Sequence, residues 1–374
     1  MGISLSQEKY CHVGNTINVT TYSINPYDGA FRLHDTMEEI IHEYILPIIL
    51  FLGVTMNGCF LFVTARVRFI RTKTNIYLTS MAISDTIFLM TAVGGRLQQY
   101  YSTPMPSNSA ARGEHGCGMY VFMVNISSAA SLFTLTLVSL EKYYSICQPL
   151  KARIGKGKRQ TRVELIAVWI ISAIFAGICT PSSSVFKVYC LIWPNQLPYA
   201  NLSPFFAQCV SPTKWYVHFT HITQAAPFFI SLFVNAVLFA KIIRSLNSRV
   251  AASESKNQTV SSRVNARIRT QIARMLIING VIFFILMAPF ECLSVSLMVS
   301  GARGHYLLSR YQRSQVAWVG RVLAYVNAVI NPVVYGVTNK RYRSAFLLAF
   351  RCNDESRRRR VTASMNTVTS NVND

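Results

Sequence analysis

Asp85, Arg96, Glu291 and Arg321 are the residues best placed to do chemistry, because each stands in a run that is otherwise apolar. An ionisable group at membrane depth is costly and marks a functional site by default. Arginine carries a planar fork of donors that suits carboxylates and carbonyls. Glu291 could neutralise Arg321 in an internal ion pair that only offsets burial, and one arginine would still be left over. Arg96 follows Asp85 by 11 residues, about three helical turns, and Arg321 precedes Asn331 by ten. Glu291 lies two residues beyond Pro289. That spacing puts Arg96, Glu291 and Arg321 in one half of a membrane, the outer half. A further signal is Asn331-Pro332-Val333-Val334-Tyr335, which closes the last apolar run. Proline inside a span removes a backbone hydrogen bond and kinks the helix. In lipid such a break persists only where neighbouring groups or water satisfy the freed backbone, so Asn331 and Tyr335 must face a protein interior. No phosphate loop, metal-ligand spacing or nucleophile arrangement appears. The chemistry implied is binding, not catalysis.

The elements that must position these groups are apolar runs near 44–65, 75–95, 118–140, 163–182, 216–240, 275–299 and 316–337. Each reaches the roughly 20 residues that a spanning helix needs. The 374 residues are 51% hydrophobic and 14% charged, against roughly 25% charged in soluble domains. A net charge of +22 could point to nucleic acid, but its distribution does not. Of 37 Lys and Arg, 27 fall in 66–74, 141–163, 241–274 and 340–374. This is the positive-inside bias, and it puts the N-terminus outside and the C-terminus in the cytosol. It also gives attraction to anionic membrane lipid. Residues 1–39 are polar and hold no leader-like apolar run, so the first span is expected to serve as its own anchor. The organisation expected is an outer segment at 1–39, a helical bundle at 40–338, an amphipathic surface helix at 339–352 and a disordered tail at 353–374. In the surface helix Phe346, Leu347 and Phe350 fall on one face with charges opposite.

Cys11, Cys117, Cys190 and Cys209 lie on the oxidising side, and four cysteines allow three pairings. Asn18 and Asn201 begin outer-side glycosylation patterns. Cys352, at the end of the surface helix, is a candidate palmitoylation site. Thr362, Ser364, Thr367, Thr369 and Ser370 follow the Arg357–Arg360 run and could be phosphorylated.

Taken in order, the runs carry Asn57 in Met-Asn-Gly-Cys, Asp85 in Met-Ala-Ile-Ser-Asp, and Cys117 followed 24 residues later by Glu141-Lys142-Tyr143. Gln148-Pro149-Leu150, Trp169, Pro227, Phe283 with Pro289, and the Asn-Pro-x-x-Tyr run complete the set. In this order and spacing they resemble the rhodopsin-like (class A) G protein-coupled receptors across about 40–352. The resemblance implies an all-α membrane protein: a seven-transmembrane helix bundle with a short amphipathic eighth helix, at the plasma membrane. It implies an extracellular ligand, a heterotrimeric G protein as partner, and arrestin after tail phosphorylation. Glu141, Lys142, Tyr143, Pro289, Asn331, Pro332 and Tyr335 match its activation motifs. Asp85, with Asn57, Ser131, Asn327 and Asn331 as family neighbours, matches a sodium site; a network of amides and water is the alternative. The family's outer disulfide implies Cys117 with Cys209, or with Cys190, and the remaining cysteine could pair with Cys11.

Arg96, Glu291 and Arg321 align with the family's ligand cavity, and Phe219, Phe290 and Tyr325 are expected to line it. Val124 stands where amine receptors carry an aspartate, and Tyr325 where opsins carry the retinal lysine. The resemblance thereby argues against a biogenic amine and against a photopigment. The long outer loop near 183–213 could open as a hairpin from Ser184 to Tyr189. With a basic cavity it resembles receptors for short neuropeptides; a small carboxylate or lipid ligand is the alternative. Three departures from the family stand out: Lys142 for arginine, Met287 for tryptophan and Asn235 for tyrosine. Lysine lacks the arginine fork, so a receptor-like protein with little coupling is the other reading. A transporter would show internal repeats, and none is seen.

Overall fold

All seven apolar runs are helices in the computed structural model, which describes residues 20–23, 36–105, 108–148, 157–192, 202–253, 260–303 and 308–350. The helices are α1 (Thr36–Arg66), α2 (Lys73–Ser102), α3 (Gly113–Cys147), α4 (Lys158–Cys179), α5 (Lys214–Ser253), α6 (Val260–Arg303) and α7 (Arg310–Thr338). Most outrun the apolar stretch that announced them, α6 chiefly at its N-terminal end. Hydropathy marks only the part that lipid would solvate, whereas the backbone hydrogen bonds continue into the polar ends. Pro227, Pro289 and Pro332 lie inside α5, α6 and α7. Ser309 opens α7 with a capping box to Gln312, which satisfies two otherwise orphaned backbone donors.

The bundle is apolar outside and polar within. Phe51, Ile230, Phe233 and Ile285 are exposed, whereas Asn57, Ser84, Asp85, Asn235 and Asn279 are buried. A soluble core would reverse this. Polar side chains join the helices: Trp169 Nε1 donates to Ser80 Oγ at 3.0 Å between α4 and α2, and Tyr77 Oη donates to Glu164 Oε2 at 2.5 Å beside it. Such bonds hold helices together where lipid offers no hydrophobic drive. Close approaches are made by glycine. A Cβ on Gly320 of α7 would lie 3.0 Å from the Phe290 Cα of α6.

At the end of the bundle near Cys117 lies a small sheet. β2 (Val185–Ile192) and β3 (Phe205–Val210) form the expected hairpin, with Val185 opposite Val210. The disulfide Cys117–Cys209 fastens it to α3; of the two partners left open for Cys117, the structure takes Cys209. Cys190 is buried and disulfide-bonded. A third strand, β1 (Thr20–Ser23), runs parallel to β2 with Thr21 opposite Cys190. Thr and Tyr favour strands, but four residues are too few to announce one, and β1 forms by pairing with the edge of β2. Asn108 also ties the α2–α3 connection to the sheet, its Oδ1 accepting from Ala207 N at 3.1 Å.

At the opposite end α8 (Lys340–Phe350) follows α7 directly. Ala345 and Ala349 are buried against Val63, Val67, Phe69 and Ile70, and Tyr342 is buried against Phe60 and Tyr335. Leu347 and Phe350 are exposed, but Phe346 packs inward. The expectation of one apolar face is corrected on this point. Tyr342, Ala345, Phe346 and Ala349 face the bundle, and Leu347 and Phe350 form a separate exposed apolar edge. Cys11, Asn18, Asn201, Cys352 and the tail lie outside the described residues.

Candidate ligand cavity and polar core

A cavity of about 400 Å³ opens among α2, α3, α5, α6 and α7, below the hairpin. Arg96, Phe290, Glu291, Arg321 and Tyr325, which the family resemblance assigned to a ligand cavity, line it. Phe219 does not. On α5 the cavity takes Val217, Thr220, His221, Gln224 and Phe228, which repeat at three to four residues. Phe219 falls off that face, is exposed, and packs on Trp215 and Tyr216 with ring centroids 5.9 and 5.4 Å away.

The two arginines share one wall. The Arg321 guanidinium lies 5.1 Å from the Trp318 ring centroid and that of Arg96 lies 5.7 Å from it. Trp318 is itself held by a bond from Nε1 to Glu38 Oε1 at 2.8 Å. Arg96 also faces the phenols of Tyr120 and Tyr325, and its Nε has no hydrogen-bond partner. It is carried beyond a π turn at Leu89–Val93, a distortion that recurs at functional sites. Glu291 is buried and its Oε2 has no partner. Among the described residues it forms no ion pair with Arg321. The internal pair that remained open from the sequence is not made.

Deeper in the bundle, Ser131 Oγ donates to Asp85 Oδ1 at 2.8 Å and Asn331 Nδ2 donates to Asp85 Oδ2 at 2.7 Å. Asn327 and Asn331 each leave a buried Oδ1 without a partner. Asn57 belongs to the same region but bonds backbone, Gly53 O and Ala328 O at 3.0 and 2.9 Å. One carboxylate beside free amide oxygens is the donor set of a hard monovalent cation. Among the described residues no cluster of His, Cys, Asp and Glu fits a transition metal.

At the far end Lys142 is 9% exposed. Its Nζ lies 2.7 Å from Glu141 Oε2 and donates to Thr74 Oγ1 of α2. Asn235 Nδ2 donates to Thr136 Oγ1 at 2.9 Å, tying α5 to α3. Tyr335 is buried between Phe60 and Tyr342, at 5.5 and 5.9 Å, with its hydroxyl unpartnered.

The profile described as "7 transmembrane receptor (rhodopsin family)" matches residues 56–335. The chain belongs to this family. The growth hormone secretagogue receptor type 1 of Homo sapiens is 27% identical over 343 residues, covering 84% of this chain and 85% of that one. A thyrotropin-releasing hormone receptor of Gallus gallus is 25% identical over 339 residues, covering 84% and 79%. A QRFP-like peptide receptor of Branchiostoma floridae is 24% identical over 317 residues, covering 82% and 77%. In this rhodopsin-family receptor several lining residues escaped the sequence reading. Tyr120, Asn125, His221 and Gln224 belong to the cavity, and Gln224 Nε2 donates to Asn125 Oδ1 at 2.8 Å. Gln224 and Asn125 were visible as amides within apolar runs. No sequence signal placed Thr74 against Lys142.

Proposed function

We propose that this G protein-coupled receptor binds a short extracellular peptide whose acidic or carbonyl-rich end enters the cavity and docks on Arg321 and Arg96. The observation that carries the reading is the pair of arginines lining an aromatic cavity, neither of which forms an ion pair with an acid among the described residues. A cavity of about 400 Å³ lies in the range of small-ligand sites, about 300–1,000 Å³. It therefore takes the end of a peptide, and the hairpin and β1 above it would meet the rest. The names of the three relatives support a peptide ligand. The positive-inside charge bias puts the hairpin end outside the cell and α8 in the cytosol, at the plasma membrane.

Binding would shift the balance between two helix packings and open the Lys142 end to a heterotrimeric G protein. Lys241, Arg244, Arg269 and Arg274 are exposed at that end. Arrestin would follow phosphorylation of the tail, and Leu347 and Phe350 of α8 would rest on membrane lipid. Sodium would be held by Asp85 with Ser131, Asn327 and Asn331, favouring the resting packing. The test is a peptide library applied to membranes carrying the receptor, read by guanine-nucleotide exchange. Active peptides should share an acidic or carbonyl-rich end and lose that activity when it is changed. Activation by compounds lacking any such end would overturn the reading.

A further inference from the structure

Glu291 is the buried charge that the proposed docking of an acidic end leaves unused. It is 6% exposed, lines the cavity, and has an Oε2 without a hydrogen-bond partner. A buried carboxylate is normally paired, because removing an ion from water is costly unless a partner compensates. A partner is close at hand in the backbone. Gly320 brings α7 against Phe290, with an added Cβ 3.0 Å from the Phe290 Cα. Glu291 and Arg321 are the next residues on each helix, at this close approach of α6 and α7. Arg321 nevertheless turns onto Trp318, at 5.1 Å, and no described Lys, Arg or His forms an ion pair with Glu291. His221, across the cavity on α5, also leaves Nδ1 unpartnered. Arg321 and Arg96 both stack on the Trp318 indole, and neither forms an ion pair with Glu291.

We propose that Glu291 receives a cationic group of the ligand, an ammonium or guanidinium, so that the ligand is dipolar within the cavity. Its acidic or carbonyl-rich end meets Arg321 and Arg96, and its cation meets Glu291. This rests on the reading of the cavity as a peptide site. A dipolar ligand explains why the site keeps opposite charges apart: a ligand bearing both replaces the internal pair and leaves neither wall uncompensated. It also makes Glu291 a specificity residue, since a ligand lacking the cation would bury this carboxylate unpaired.

The probes are acetylated tripeptides ending in phenylalanine, with lysine or norleucine first and the middle residue varied. Each is made with a free carboxylate and as the amide. Binding to the full-length receptor is read from the dose dependence of its melting temperature. In wild type, lysine should bind about tenfold more tightly than norleucine or better. The preference should vanish in Glu291→Gln while the carboxylate-over-amide preference remains. Equal binding of lysine and norleucine overturns the inference alone, as does a lysine preference that survives Glu291→Gln. If free-carboxylate peptides bind no better than amides, the docking on the arginines fails, and the inference fails with it. The unliganded receptor supplies a second measurement. Relieved of an unpaired charge, Glu291→Gln should melt no lower than wild type. A fall of several degrees would mean that Glu291 has an internal partner, and would also overturn the inference.

Discussion

Thr74→Val tests the bridge between α3 and α2 that replaces the family's arginine contacts. Valine keeps the branched shape of threonine and is nearly as good a helix former, so the first turn of α2 should survive. What is lost is the acceptor for Lys142 Nζ. Thr74 and Lys142 are 6% and 9% exposed, so water replaces that acceptor poorly. A hydrogen bond to a charged group contributes about 1.5–3 kcal/mol. The remaining contact with Glu141, at 2.7 Å, is part-exposed and worth about 1 kcal/mol or less. If the bridge belongs to the resting packing, its loss shifts the resting-to-active balance by about 10- to 150-fold. A resting ratio of about 99:1 would become about 10:1 at the lower bound. The assay is basal guanine-nucleotide exchange on membranes matched for surface receptor. Thr74→Val should raise basal exchange several-fold, and Lys142→Arg should raise agonist-driven exchange by restoring a fork of donors. Basal exchange at the wild-type level in Thr74→Val would show that the bridge does not bias the two packings.

Four further outcomes are expected. Arg321→Ala should weaken agonist potency roughly ten- to hundredfold, and Arg321→Lys should recover only part of it, measured by nucleotide exchange across an agonist titration. Asp85→Asn should abolish any sodium dependence of ligand affinity; wild-type affinity indifferent to sodium against a potassium control would instead leave a water network at Asp85. Cys117→Ser should lower surface expression, measured by flow cytometry, since the bond to Cys209 closes a loop across 92 residues and such a link contributes about 2–4 kcal/mol. Gly320→Ala should lower the melting temperature by several degrees, because the new methyl meets Phe290 backbone at 3.0 Å and backbone cannot move aside as a flexible side chain can.

Much of the fold was legible because lipid acts on the chain one residue at a time. Seven apolar runs, their basic connections and the intramembrane charges follow from composition along the chain, and each run is a helix in the structure. The hairpin's first strand and the surface helix were legible for the same reason, as local patterns of period two and 3.6. Rotation and pairing were not, since they depend on helices far apart in sequence. Phe219 was expected in the cavity on its position along α5, yet the phase of that helix turns it outward. Phe346 turns inward because Tyr342, Ala345 and Ala349 already fix which face of α8 meets α1. Glu291 and Arg321 carry opposite charges in one cavity lining, and sequence alone left their pairing open. The indole of Trp318, placed by Glu38 from 280 residues away, decides it by drawing Arg321 aside. Thr74 and Lys142, 68 residues apart, meet for the same reason: close packing in three dimensions selects partners that no spacing along one helix can reveal.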